Sequence, residues 1–283
     1  MNRSTMHDPL HQPCPPFGTL LGAKQTGAAH LRRALPCQDA LCWHWQSDAQ
    51  ASSLLLAIAD GHGGSHYDRS DQGAHLAVQT AIALLRECHT AFPHPRQLLN
   101  TLQSDFARLL RRRWRQAVLQ HHANLEEAPP PSEEAPLLRR YGATLLTVLM
   151  QEELVFAGQI GDGKLLRIPA DGPPHEPLPA DPNLLGSETH SLCSEGAERV
   201  WQSAVWYRQQ EETLLFCTDG LSDSFVSPEE FHRFASSLPP LLTEQGSQTI
   251  AQHLPNWLDR YSHEGSGDDM TLLLLHPMLP KGV

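Results

Sequence analysis

No uninterrupted apolar run in this 283-residue chain approaches the roughly 18 residues that a membrane-spanning helix needs. The opening MNRSTMHDPLHQPCPPF has no apolar stretch of the kind an export signal carries, so a cytoplasmic location is expected. Basic charge is also scarce. Lys and Arg number 21 against 32 Asp and Glu, a formal net charge of −11. Nucleic acids and anionic membranes require clustered cations, so neither is an expected partner. The six cysteines (Cys14, Cys37, Cys42, Cys88, Cys193, Cys217) include no CxxC pair and have no regular spacing. They read as reduced thiols and not as a disulfide framework. Cys37, Cys42 and His44 lack a second pair of zinc-type ligands, which argues against a structural zinc.

What is present begins with Leu54 to Gly64, LLLAIADGHGG. An apolar run of strand length stops at Asp60, and Gly61, Gly63 and Gly64 bracket His62. Glycine lets backbone approach a ligand closely, which makes the carbonyl beside Asp60 a candidate ligand. Taken alone, the stretch also fits a strand ending in an Asp-Gly hairpin turn.

Along the chain, residues 1–16 are polar and proline-rich and read as a poorly ordered lead-in. A strand is expected over 19–26 and another at LCWHW, with Pro36 arguing against a continuous helix between them. Residues 73–88 have helical spacing, and a longer helix is predicted from Pro95 to His121, with Leu98, Leu102, Phe106, Leu109, Leu110, Trp114 and Val118 on its buried face. The basic run Arg111, Arg112, Arg113 and Arg115 reads as the solvated face of that helix. Residues 124–140 read as a surface loop, with Arg139 and Arg140 as surface charges. Short strands follow at GATLLTVLM, ELVFAGQIG and GKLLRIP, and their tight turns imply antiparallel pairing. Residues 170–198 form an irregular insert. SAVWYR and TLLFCT then read as a strand pair. A helix starts at Ser227-Pro228-Glu229-Glu230, with a capping Ser and Pro at the first helical position. The next helix, 248–261, should be kinked or split at Pro255. MTLLLLH closes the pattern, giving an α+β layering with helices outside and sheets within.

Three apolar runs meet carboxylates at one end: LLLAIA at Asp60, TLLFCT at Asp219, and TLLLL at Asp268-Asp269. Convergent buried carboxylates need a cation or donors to offset their repulsion. Hard oxygen ligands suit Mg²⁺ or Mn²⁺ and match zinc poorly.

These residues resemble the metal-dependent Ser/Thr protein phosphatases of the PPM, or type 2C, family. The motifs fall in the family's order over residues 18–276: Gln38-Asp39, Asp60-Gly61-His62-Gly63-Gly64, Gly142-Ala143-Thr144, Gly161-Asp162-Gly163, Asp219-Gly220 with Asp223, and Gly267-Asp268-Asp269-Met270-Thr271. The resemblance implies one domain over 17–278. Its fold would be a four-layer αββα sandwich, two antiparallel β-sheets flanked by pairs of helices, with two Mn²⁺ or Mg²⁺ ions at one end. It further implies that Asp60 bridges the ions, that the Gly61 carbonyl binds one, and that Asp219 and Asp268 bind the other. Asp162 matches the position that holds a third ion in some members. Asp39 would act through water, and Asp269 as support. Gln38 departs from the acidic pair common in relatives. A phosphate-contacting Arg lies upstream of that pair in the family, and Arg33 is assigned to it over Arg32. Gly163 and the PCQDA wording look similar to a divergent bacterial branch.

The implied activity is hydrolysis of phosphoserine or phosphothreonine by a metal-bridging water, with His62 either protonating the departing alkoxide or serving as a turn histidine that hydrogen-bonds a carboxylate. The expected partner is a phosphoprotein, with a Ser/Thr kinase or its targets as candidates. Two alternatives use the same motifs: an inactive pseudophosphatase that binds a regulatory partner, and a hydrolase of small phosphoesters.

Overall fold

Leu54, Leu56 and Ile58 alternate with Leu55, Ala57 and Ala59 along one strand, and both sets are buried. A strand apolar on both faces must be covered on both. In this computed structural model the first set packs against a second sheet and the second set against helices. The structure describes residues 9–47, 52–125, 133–179, 189–209 and 211–278.

The strands are β1 (Leu10–Cys14), β2 (Gly18–Gln25), β3 (Ala40–Ser47), β4 (Ser52–Ala59), β5 (Leu145–Gln151), β6 (Leu154–Ile160), β7 (Lys164–Ile168), β8 (Gln202–Tyr207), β9 (Thr213–Cys217) and β10 (Met270–His276). They form two five-stranded sheets, β1-β2-β10-β9-β7 and β3-β4-β5-β6-β8. Every pairing is antiparallel. The helices are α1 (Ala28–Arg33), α2 (Ser70–Ala91), α3 (Pro95–Ser104), α4 (Phe106–Ala123), α5 (Glu134–Arg140), α6 (Asp219–Ser222), α7 (Pro228–Gln245) and α8 (Ser247–Glu264). Leu20, Val148, Phe216 and Leu273 fill the space between the sheets. Helices α2 to α5 cover the second sheet, and α7 and α8 cover the first through Leu238, Leu242, Leu254 and Leu258. The expected αββα sandwich is thus the observed one.

Five local expectations change. Leu10–Cys14, inside the segment read as a lead-in, is an edge strand whose Leu10 and Cys14 are buried; residues 1–8 lie outside the described residues. The helix predicted over 95–121 breaks at Asp105, where φ −121° and ψ −19° leave the helical region. Asp105 is shared as the C-cap of α3 and the N-cap of α4, and its carboxylate accepts from Arg108 and Ser104. Within the segment read as loop, Glu134–Arg140 is a helix that buries Leu137 and Leu138, while residues 126–132 lie outside the described residues. SAVWYR and TLLFCT do not pair with each other: β8 pairs with β6 in one sheet, and β9 lies between β10 and β7 in the other. Finally, α8 runs as one helix through Pro255, so of the two expected outcomes the split does not occur.

Candidate metal centre

The turn after β4 is held from several sides. Asp60 donates its N–H to Thr144 Oγ1 at 3.0 Å, and its carbonyl accepts from Thr144 N at 2.8 Å. Gly61 donates to the Gln38 carbonyl at 3.1 Å. A Cβ at Gly61 would lie 2.6 Å from the Ser70 carbonyl oxygen and 2.9 Å from that of Gln38, so only glycine passes there. At Gly220 a Cβ would lie 2.0 Å from the Asp269 carbonyl oxygen, which ties the start of α6 to the residues before β10.

Carboxylates from distant parts of the chain converge on this end of the sandwich. Asp39 is buried at 1% exposure. Its Oδ2 accepts from the hydroxyls of Thr218 at 2.8 Å and Thr271 at 2.7 Å, while its Oδ1 is buried without a hydrogen-bond partner. Asp219 Oδ1 is likewise buried without a partner. Burial, reinforced by the charges of Asp39, Asp219 and Asp268 and by a hydrogen bond to Asp219, lifts Asp60 well above the usual carboxylate range. Burial and the Asp269 and Asp219 charges lift Asp39 against its two threonine donors. Asp219 is pushed up to about 6, by burial first and then by Asp162, Asp268 and Asp223, against the opposing Asp60 hydrogen bond. Asp223, raised by burial and Asp162, belongs to the same group.

Asp162 sits on the turn between β6 and β7. Gln159 Nε2 pins that turn, donating to the carbonyls of Gly161 at 2.9 Å and Gly163 at 2.7 Å, and the Thr189 hydroxyl donates to Asp162. Asp268 is exposed and accepts from the Asp269 N–H at 2.8 Å. Asp269 is otherwise occupied: its oxygens accept from Gly27 N at 2.6 Å and Gln38 N at 2.6 Å and contact His30 Nδ1 at 2.8 Å. One buried carboxylate therefore fastens both ends of the segment 27–38, which contains α1. The support role expected of Asp269 has this physical form. Gln38, in place of an acid, donates from Nε2 to Ser70 Oγ at 2.7 Å and so joins this segment to the start of α2.

The remaining expected residues stand at the edge. Arg33 is exposed in the last turn of α1, with no hydrogen bond or ion pair to the carboxylates among the described residues. Arg32 Nη2 comes within 4.0 Å of where a Gly267 Cβ would stand, next to Asp268. His62 donates its backbone N–H to Gly142 O at 3.1 Å and packs its ring edge-on against Tyr67, centroids 5.1 Å apart. Burial holds its imidazole below the usual range, opposed by the Asp162 charge. Thr144, Thr218, Thr271 and His30 escaped the sequence reading as supports of the site. The available signal was their adjacency to acidic motifs, since Thr218 precedes Asp219 and Thr271 follows Asp269 by two.

Buried, unpartnered carboxylate oxygens among mutually repelling carboxylates are the donor set that a hard divalent cation requires. The set fits magnesium or manganese, and it contains no thiolate and no imidazole pair of the zinc type.

A model of the family described as protein phosphatase 2C matches residues 26–259. Comparison with curated proteins finds no match. Among solved structures, the chain is similar to the Mycobacterium tuberculosis serine/threonine phosphatase PstP/Ppp, with TM-score 0.57, 18% identity, and 92% of this chain and 98% of that one covered. It is similar to the catalytic domain of PstP in complex with two manganese ions, with TM-score 0.55, 19% identity and coverage of 91% and 96%. It is also similar to RsbX in complex with magnesium, with TM-score 0.50, 14% identity and coverage of 94% and 98%. At these identities the structural likeness establishes the fold, and the family model, which spans most of the chain, establishes the kinship. The chain belongs to the protein phosphatase 2C family of metal-dependent serine/threonine phosphatases.

Proposed function

We propose that the chain hydrolyses phosphoserine and phosphothreonine esters in phosphoproteins at the carboxylate cluster of Asp39, Asp60, Asp219 and Asp268. The observation that carries this reading is the pair of buried, unpartnered oxygens on Asp39 and Asp219 within carboxylates raised by one another's charge. When bound, two divalent cations of the kinds seen in PstP and RsbX supply positive charge for the phosphoryl oxygens and a nucleophilic water at neutral pH.

Asp60, the Gly61 carbonyl, Asp219 and Asp268 would hold these ions, Asp39 would act through water, and Asp162 would contribute to a third. Thr218 and Thr271 orient Asp39 by occupying its Oδ2, which leaves Oδ1 to face the site. His62 gives a proton to the alkoxide oxygen of the departing serine or threonine. Its lowered pKa makes the imidazolium a stronger donor, and the Asp162 charge favours the protonated form. Arg33, exposed on an α1 anchored through Asp269, would meet the phosphate entering from solvent. The substrates are products of Ser/Thr kinases, and six free thiols fit a reducing cytoplasm.

The test is phosphate release from a phosphothreonine peptide and from an aryl phosphate with Mn²⁺, Mg²⁺ or chelator. Turnover of both that chelator abolishes is expected. Activity that survives chelation would refute the reading.

A further inference from the structure

On the far side of Tyr67 from His62 lies a cavity of about 670 Å³ with three walls: the Ser65–Asp68 turn, α5 with the preceding Glu133, and Cys193-Ser194. All three walls are tied to one short stretch. Arg69 donates to the Arg140 carbonyl at 2.9 Å, His62 to that of Gly142 at 3.1 Å, and Leu192 to that of Ala143 at 3.0 Å, while Ala143 bridges to Gly61. The cavity is therefore positioned by the same backbone that positions Asp60 and His62.

Its charges are unequal in availability. Arg140 engages Asp68 at two points, 2.9 and 2.8 Å, so those two groups offset each other. Glu133 is exposed at the start of α5. Arg139 has no carboxylate partner among the described residues, and its guanidinium lies over the Tyr67 ring, 5.5 Å from the centroid. A guanidinium held over an aromatic face keeps its edge donors for another ligand. Tyr67 in turn touches His62, with centroids 5.1 Å apart. These two contacts place Arg139 no farther from His62 than about three residues of extended peptide, at about 3.3 Å per residue.

Resting on the phosphatase reading above, we propose that this cavity is the subsite for peptide flanking the phosphorylated residue, and that Arg139 selects an anionic side chain there, a carboxylate or a second phosphate. A sequence with net charge −11 would otherwise repel acidic substrates. Arg139 counters that repulsion at the distance where a neighbouring residue arrives. The pair Arg139 and Tyr67 thus makes substrate choice a local property of the rim, separate from the chemistry at Asp60.

The experiment compares kcat/KM for phosphothreonine peptides that differ only at positions two and three residues away on either side, carrying Glu, a non-hydrolysable phosphonate, or Lys. The wild-type chain should favour one or both anionic peptides over the Lys peptide by about threefold to tenfold. Preference for Glu assigns a carboxylate, and preference for the phosphonate alone assigns a second phosphate. The ratio should fall to about one in Arg139→Gln and invert in Arg139→Glu. Ala135→Glu, an exposed change on the same wall, should also lower it. A wild-type ratio near one, or a ratio unmoved by all three substitutions, would overturn the subsite while aryl phosphate turnover upholds the phosphatase. Loss of wild-type turnover on aryl phosphate and peptides alike, with metal present, would remove the phosphatase reading and the subsite with it.

Discussion

At the scale of single residues, the site is built from carboxylates that are costly where they stand and from neutral groups that hold them there. Thr218 and Thr271 both donate to one oxygen of Asp39. Replacing Thr218 by Val keeps its shape and removes one donor, and groups in this position typically matter 10- to 100-fold for metal affinity. A drop of about that size in Mn²⁺ affinity, measured by calorimetric titration, is the expected result for Thr218→Val; an unchanged affinity would place Asp39 outside the centre. His62→Gln should slow alkyl phosphoesters more than aryl phosphates with good leaving groups, since general acids are worth about 10² to 10⁴-fold where the leaving group needs a proton. Equal losses on both substrates would leave His62 only its packing against Tyr67. Asp60, Asp219 and Asp268 were legible because each stands at the end of an apolar run. Asp39 was legible only through resemblance, and the threonines were not, because nothing in a lone hydroxyl announces which carboxylate it will meet.

Elements were legible where local pattern and tertiary packing agree. The uninterrupted apolar run before Asp60 turns one face to the sheet interface and one to the helices, and it became β4 as read. The cap at Ser227 formed too, with Glu230 N donating to Ser227 Oγ at 3.3 Å. Ser227→Ala should cost about 1 kcal/mol in chemical denaturation. What escaped the sequence depended on partners far away in the chain. Leu10–Cys14 is a strand because β2 is there to pair with it, and β8 and β9 part company because each finds a different sheet. Asp105 interrupts a helix whose buried stripe, from Leu98 to Val118, continues on either side of the break. Close backbone approaches are equally hidden. A Cβ at Gly73 would stand 1.9 Å from the Tyr141 carbonyl oxygen, so Gly73→Ala should destabilise by more than about 2 kcal/mol, against roughly neutral behaviour for a glycine in open space.

For the molecule as a whole, the carboxylate cluster is a source of instability that the proposed cations would relieve. Asp219 titrates near 6 in the folded chain, against an ordinary value of 3.8. Between those values the folded state binds more protons than the unfolded state, so metal-free stability falls as pH rises through that window. Asp39 and Asp60, also raised, act in the same direction. In metal-free protein the cluster should therefore stabilise the fold more at pH 5 than at pH 7.5. Saturating Mn²⁺ should reverse the order, because ligand binding stabilises the folded state and protons compete for the same oxygens. Because His44, His62, His122 and His276, held by burial below the usual imidazole range, pull the other way, the cluster's share is read as the difference in pH dependence between the wild type and Asp219→Asn, and identical pH dependences would contradict the cluster's electrostatics. Among the described residues no helix is long and apolar enough to cross a membrane.

The most direct test of the central claim is a titration of metal-free protein with Mn²⁺, following phosphate release from a phosphothreonine peptide in the wild type, Asp60→Ala and Asp219→Ala. Turnover that rises with Mn²⁺ in the wild type and falls about 10²-fold or more in both variants, while they remain folded, is the predicted result. Equal turnover in all three chains, or turnover indifferent to Mn²⁺, would contradict it.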